Sequence, residues 1–152
     1  MITYQVKVYE NGSQDWYLNG KRHREDGPAI IRPSGVQEWY LNGQVHREDG
    51  PAVTLPDGYQ AWYLNGKYHR EDGPAIIRPD GSQAWYLNGK RHREDGPAVI
   101  RSDGYQSWWL NDKKYSEQKF LEKTKKHVII IDGKTVHLSN ESYDNLKQVF
   151  KE

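Results

Sequence analysis

The chain contains no cysteine and one methionine in 152 residues. Without thiols there is no disulfide framework and no thiolate metal centre, which fits a reducing compartment. Purely hydrocarbon side chains of large size are scarce as well: Ile, Leu, Val and Phe fill only 29 positions, a level at which disorder has to be considered. An excess of charge of either sign is also lacking. The 22 basic and 21 acidic residues leave a formal charge of +1, so a general nucleic-acid or anionic-membrane surface, which needs surplus Lys and Arg, is not expected. No run approaches the ~18 apolar residues of a membrane span. Nothing resembles a secretory signal, and a soluble, cytoplasmic protein is the expectation. What is present answers the question of disorder: 6 Trp and 11 Tyr supply large buriable surfaces that disordered chains lack. The length allows one compact domain or one short repeat array.

The repeat is exact in period. Trp16, Trp39, Trp62, Trp85 and Trp108 stand 23 residues apart. W-Y-L-N-G opens four units at Trp16, Trp39, Trp62 and Trp85 and decays to W-W-L-N-D at Trp108. H-R-E-D-G-P-A follows at His23, His46, His69 and His92, and Tyr4–Gln14 reads as the second half of a missing unit. Within a unit, Gln14, Trp16 and Leu18 share one face of a strand and Asp15 and Tyr17 the other. Asn19-Gly20 predicts a type I′ hairpin turn, because both residues tolerate positive φ. The chain then returns through Lys21-Arg22-His23, breaks at Asp26-Gly27-Pro28, forms a second strand over Ala29–Arg32 and turns again at Pro33-Ser34-Gly35. One unit buries too little alone, so stacking must supply the core, with Trp16, Leu18, Ala29 and Ile31 as one rung.

Composition shifts near Asp112. Residues 1–112 carry 13 basic and 15 acidic groups, and residues 113–152 carry 9 and 6. The second segment reads as helix, hairpin, helix. Ser116 caps a helix running to about Lys126 with Phe120 and Leu121 as its apolar patch. Asp132-Gly133 joins Val128–Ile131 to Lys134–Leu138. Ser139 or Asn140 caps a last helix with Tyr143, Leu146, Val149 and Phe150 at helical spacing. The fold expectation is therefore mainly β: an elongated array of stacked β-hairpin repeats over 1–112, closed by a small α/β cap over 113–152 that covers the last sheet edge.

The 23-residue period built on N-G-K-x-H, followed by Gly, a β-prone run and D-G, resembles the MORN-repeat family. Its W-Y-L-N-G-K-x-H-R-E-D-G-P-A form is similar to tandem repeats in proteins of large phages and giant viruses. The resemblance covers about residues 4–112. It implies a β-hairpin array used for assembly, protein binding or lipid association, and some bacterial variants of the family are labelled antitoxins. The family's H-G-x-G is replaced here by the longer, charged H-R-E-D-G-P, which does not favour lipid binding.

H-R-E-D occurs four times and has three readings. His23, Glu25 and Asp26 could act as acid and base groups or as metal ligands; Arg24 could meet Glu48 or Asp49 of the next unit in a charge ladder; or Arg24, Arg47, Arg70 and Arg93 could offer forked donors to a partner. Catalysis needs one asymmetric pocket, and four equal copies argue against it. No Walker loop, G-x-S-x-G, cysteine nucleophile or spaced ligand set is present. No enzyme activity, cofactor or metal is expected. The tryptophans read as core. Tyr17, Tyr40, Tyr63 and Tyr86 point to the opposite face and, if displayed, form a contact row. The lysines at 113, 114, 119, 123, 125 and 126 read as a solvated helix face that could also touch phosphate. The first expectation for function is a non-enzymatic binding protein of phage type that inhibits or neutralises a host defence factor or toxin in the host cytoplasm. Its candidate surface is the four arginines with the four tyrosines. The alternatives are sequestration of a small nucleotide-like anion and a structural scaffold, with self-association through the sheet edge or cap.

Overall fold

A computed structural model describes residues 1–125, 127–138 and 140–149. A twelve-stranded antiparallel sheet runs through the repeats. Starting at Tyr4–Val8, it continues through Gln14–Leu18, Ile30–Ile31, Gln37–Glu38 and onward to Gln106–Leu110 and Lys113–Tyr115. Each unit adds two short strands to this sheet. It also adds a two-residue hairpin beside it, such as Tyr40–Leu41 with Gln44–Val45. The mainly β, hairpin-rich expectation is what the structure shows.

Local chemistry sets these elements. At the Asn-Gly turns that follow W-Y-L both residues have positive φ, for instance 49° at Asn19 and 78° at Gly20, the combination a type I′ turn needs. The second turn closes through Gly35 N–H donating to the Arg32 carbonyl at 2.9 Å. The same bond recurs as Gly12 to Tyr9, at 2.9 Å, so the opening segment does fold as the second half of a unit. The second strand is shorter than Ala29–Arg32: ladder pairing is confined to Ile30–Ile31. Ala29 bonds instead to the Trp16 amide, where the chain passes from the main sheet into the hairpin.

The core is a single row of small and branched residues. Asp15, Ile30, Glu38, Val53, Ala61, Ile76, Ala84, Val99 and Ser107 stand opposite one another across successive strands. Asp15, Ile30, Ala61, Ile76, Ala84 and Ser107 are buried, as are the four alanines Ala29, Ala52, Ala75 and Ala98. This corrects the expected rung in two ways. Ile30 rather than Ile31 points inward, and Trp16, Trp39, Trp62 and Trp85 are half-buried because each shares its ring with an arginine instead of filling an interior.

The C-terminal segment has the expected order. Helix α1 (Glu117–Thr124) is capped by Ser116, whose hydroxyl accepts from the Lys119 amide at 3.4 Å. It packs on Gln106–Leu110 and Lys113–Tyr115. Phe120 is buried, but Leu121 is exposed, since one helical turn presents a single residue to a flat sheet end. The hairpin His127–Ile131 with Lys134–Leu138 turns at Asp132-Gly133, and helix α2 (Asn140–Val149) packs on its second strand. Lys126, Ser139 and Phe150 lie outside the described residues. Among those described, no helix is long and apolar enough to cross a membrane.

Candidate functional site

Each H-R-E-D-G-P loop folds onto the tryptophan of its own unit. The Arg24 guanidinium lies 4.2 Å from the centre of the Trp16 ring, and Arg47, Arg70 and Arg93 lie 4.0 Å from Trp39, Trp62 and Trp85. Each Nε donates to the aspartate two residues on, at 2.7 to 2.8 Å. Each Nη1 donates to the proline carbonyl four residues on, at 3.2 to 3.3 Å. Glycine leaves room for this approach: a Cβ at Gly27 would stand 2.8 Å from Arg24 Cζ, so the guanidinium would have to shift away. The arginine is thus clamped between ring, carboxylate and carbonyl, a stacked and bidentate use of its planar fork.

This geometry overturns the inter-unit charge ladder. Arg24 pairs with Asp26 of its own loop, not with Glu48 or Asp49. The missing glycine side chain lets the guanidinium fold back over two residues, a shorter path than reaching the next unit. The bond from Arg24 holds the Asp26 carboxyl below the ordinary aspartate range, and Arg47 and Arg70 do the same to Asp49 and Asp72.

Besides the backbone pairing of the strands, histidine makes a side-chain link between units. The Asn42 amide donates to His23 Nδ1 at 3.0 Å, and Asn65, Asn88 and Asn111 repeat this to His46, His69 and His92 at 3.1 to 3.2 Å. Nε2 of each ring faces the glutamate two residues on at 3.4 to 3.7 Å. The sequence carried this signal as a His-to-Asn interval of 19 residues repeated four times, which read only as part of the period.

Successive loops wall a row of clefts. One of about 710 Å³ lies between the loops that start at Arg24 and His46, floored by Trp39 and Leu41. The next, about 660 Å³, is floored by Trp62 and Leu64, and the third, about 860 Å³, by Trp85 and Leu87. The rims are acidic. Glutamate and aspartate side chains in the four loops are 69 to 86 % exposed, whereas the arginines are 22 to 25 % exposed.

Tyr17, Tyr40, Tyr63 and Tyr86 lie on the other face, so the structure separates them from the arginines. The Tyr40 hydroxyl donates to Glu38 at 2.9 Å, and all four rings are half-buried. Across the hairpins they alternate with Arg22, Val45, Tyr68 and Arg91. Tyr68 sits 4.3 Å from Tyr63 and 5.2 Å from Tyr86, centre to centre. Burial and the bond with Tyr68 push the Tyr59 hydroxyl up to about 12, and the same two causes raise Tyr63. At the first unit this face holds an ion cluster: Arg32 bonds Asp15, and Arg22 stands 3.9 Å from it. Burial pushes the Asp15 carboxyl up, but the hydrogen bonds and charges of Arg32, Tyr17 and Arg22 outweigh it and hold the group below its ordinary range.

Near α1, Lys113, Lys119 and Lys123 line a cleft of about 810 Å³ with Tyr115. Lys114 lies apart from it and donates to the Tyr105 hydroxyl at 3.0 Å. Among the described residues no group of three or more His, Asp or Glu is placed to hold a metal ion. No protein-family model matches the chain, and no curated protein matches it.

Proposed function

We propose that the chain is a non-catalytic module that binds another protein along its loop face. The observation that carries this is the threefold recurrence of one cleft, each with a Trp and Leu floor between two clamped loops. Equal copies in a row suit multivalent contact, in which several weak sites combine into one strong attachment, and they suit turnover poorly. The clamped arginines act as the frame of the surface, and the exposed glutamates and aspartates as its contact groups. The resemblance to MORN-type repeats of large phages favours an accessory role in which the array engages and inhibits a host defence factor or toxin in the host cytoplasm. The test is capture from host lysate by the immobilised chain and by Glu48→Lys/Glu71→Lys, whose side chains are 86 and 85 % exposed. A protein retained by the first and not by the second supports the reading; equal retention, or none, overturns it.

A second reading, sequestration of a small nucleotide-like anion, is favoured by the cleft of Lys113, Lys119 and Lys123. It requires that boiled, protein-free extract raise the melting temperature by linkage, and that Lys119→Glu remove the rise.

A further inference from the structure

We propose that the row of clefts takes an extended segment of the partner in the polyproline-II conformation, carrying Lys or Arg at every third residue. This rests on the protein-binding reading above and adds the partner's chemistry and spacing. The spacing comes from the sheet. Each unit contributes two strands to it, such as Val53–Thr54 and Gln60–Ala61, and strands lie ~4.8 Å apart, so successive clefts repeat every ~9.6 Å. A polyproline-II helix has three residues per turn at ~3.1 Å each and returns a side chain to the same face every ~9.3 Å. A β-strand does so every ~6.8 Å. Two α-helical turns need ~10.8 Å and drift by over 1 Å at each cleft.

The chemistry comes from the walls. Each loop has two carboxylates and one arginine, and that arginine already donates through Nε and Nη1 and stacks on a ring. With each aspartate paired to its arginine, the charge left to a partner is negative and sits on the glutamates, such as Glu48 and Glu71, which are 86 and 85 % exposed. A Lys or Arg stem can lie along the Trp and Leu floor while its head group meets the carboxylates, the usual division of an amphipathic side chain. Proline rings suit the aromatic floor, as they do in other grooves that read this conformation. Three clefts in register then hold residues i, i+3 and i+6.

The experiment titrates the full chain, followed by tryptophan fluorescence, with three twelve-residue peptides. One consists of four Pro-Pro-Lys triplets. The second has the same residues with its lysines grouped together, and the third has glutamate in place of lysine in the triplets. The triplet lysine peptide should bind about tenfold tighter than the grouped one, through simultaneous occupation of clefts. The glutamate peptide should not bind, and Glu48→Lys/Glu71→Lys should lose the preference while melting as the parent does. Equal binding of the two lysine peptides would reduce the effect to charge without register and overturn the proposal, as would binding of the glutamate peptide. If no peptide binds while lysate capture still depends on Glu48 and Glu71, the proposed partner class is wrong and the binding function stands. If capture fails too, both fall.

Discussion

The loop face and the tyrosine face are built on the same strands, yet one repeats strictly and the other varies. On the loop face all four arginine–tryptophan stacks fall between 4.0 and 4.2 Å, and all four arginine–aspartate bonds between 2.7 and 2.8 Å. On the tyrosine face the filling changes along the array. An ion cluster around Asp15 gives way to the rings of Tyr63, Tyr68 and Tyr86, and then to Arg91, which stacks on Trp109 and bonds Asp112. A face that only has to be filled accepts any side chain that satisfies its neighbours, whereas a face whose loops form clefts in register tolerates no change of frame.

Four substitutions test how differently the two faces respond. The largest effect is expected from Trp62→Ala, which removes both the cleft floor and the platform of Arg70. Large aromatic truncations put the loss at about 3 kcal/mol, measured as a fall in the urea midpoint; a loss under ~1 kcal/mol would show that the stack frames nothing. Next is Asp15→Asn, which leaves Arg32 without its charged partner and should cost about 2 kcal/mol at neutral pH. Because the folded carboxyl titrates below its ordinary value, its contribution is complete above pH ~4 and is lost as the pH falls through the lowered value. The gap between parent and variant should therefore close on acidification, in urea melts taken from pH 6 downward, and a constant gap would contradict the ion cluster. His69→Ala removes one acceptor for the Asn88 amide and should cost about 1 kcal/mol. The loss should appear in hydrogen exchange as faster exchange of that amide, with little change at Asn42. Smallest is Tyr68→Val, which copies Val45 at the equivalent hairpin position. A loss of under ~1 kcal/mol is expected, the worth of its ring contacts with Tyr63 and Tyr86, and a larger one would show that the tyrosine face is as constrained as the loops.

The turns were legible in the sequence because their chemistry is local. As the two central residues of a tight hairpin, Asn-Gly and Asp-Gly declare positive φ, and Asn19, Gly20, Asp132 and Gly133 adopt it, whereas the same Asp-Gly pair in the charged loops, as at Asp26-Gly27, does not. The partner of Arg24 was not legible from charge alone, since acidic residues follow it at once and recur one unit later. The deciding residue is Gly27, whose absent side chain makes room for the guanidinium. Opposite faces for Trp16 and Tyr17 follow from strand alternation, and the structure keeps them apart. Joining the arginines and tyrosines in one surface overlooked that same alternation, because each arginine stays with the tryptophans. The tyrosine cluster needed three-dimensional register: Tyr68 is one variable position in the repeat, and only pairing across the hairpin brings it onto Tyr63.

On the proposed function the loop face binds through several equal clefts at once. The direct measurement is the dissociation constant of the captured partner as the rims are reversed one at a time, Glu48→Lys, then Glu71→Lys added, then Glu94→Lys added. A stepwise loss is expected, each reversal weakening binding by about tenfold, whichever order the three are made in. Complete loss from one particular reversal, with the other two silent in isolation, would mean a single site and would contradict it.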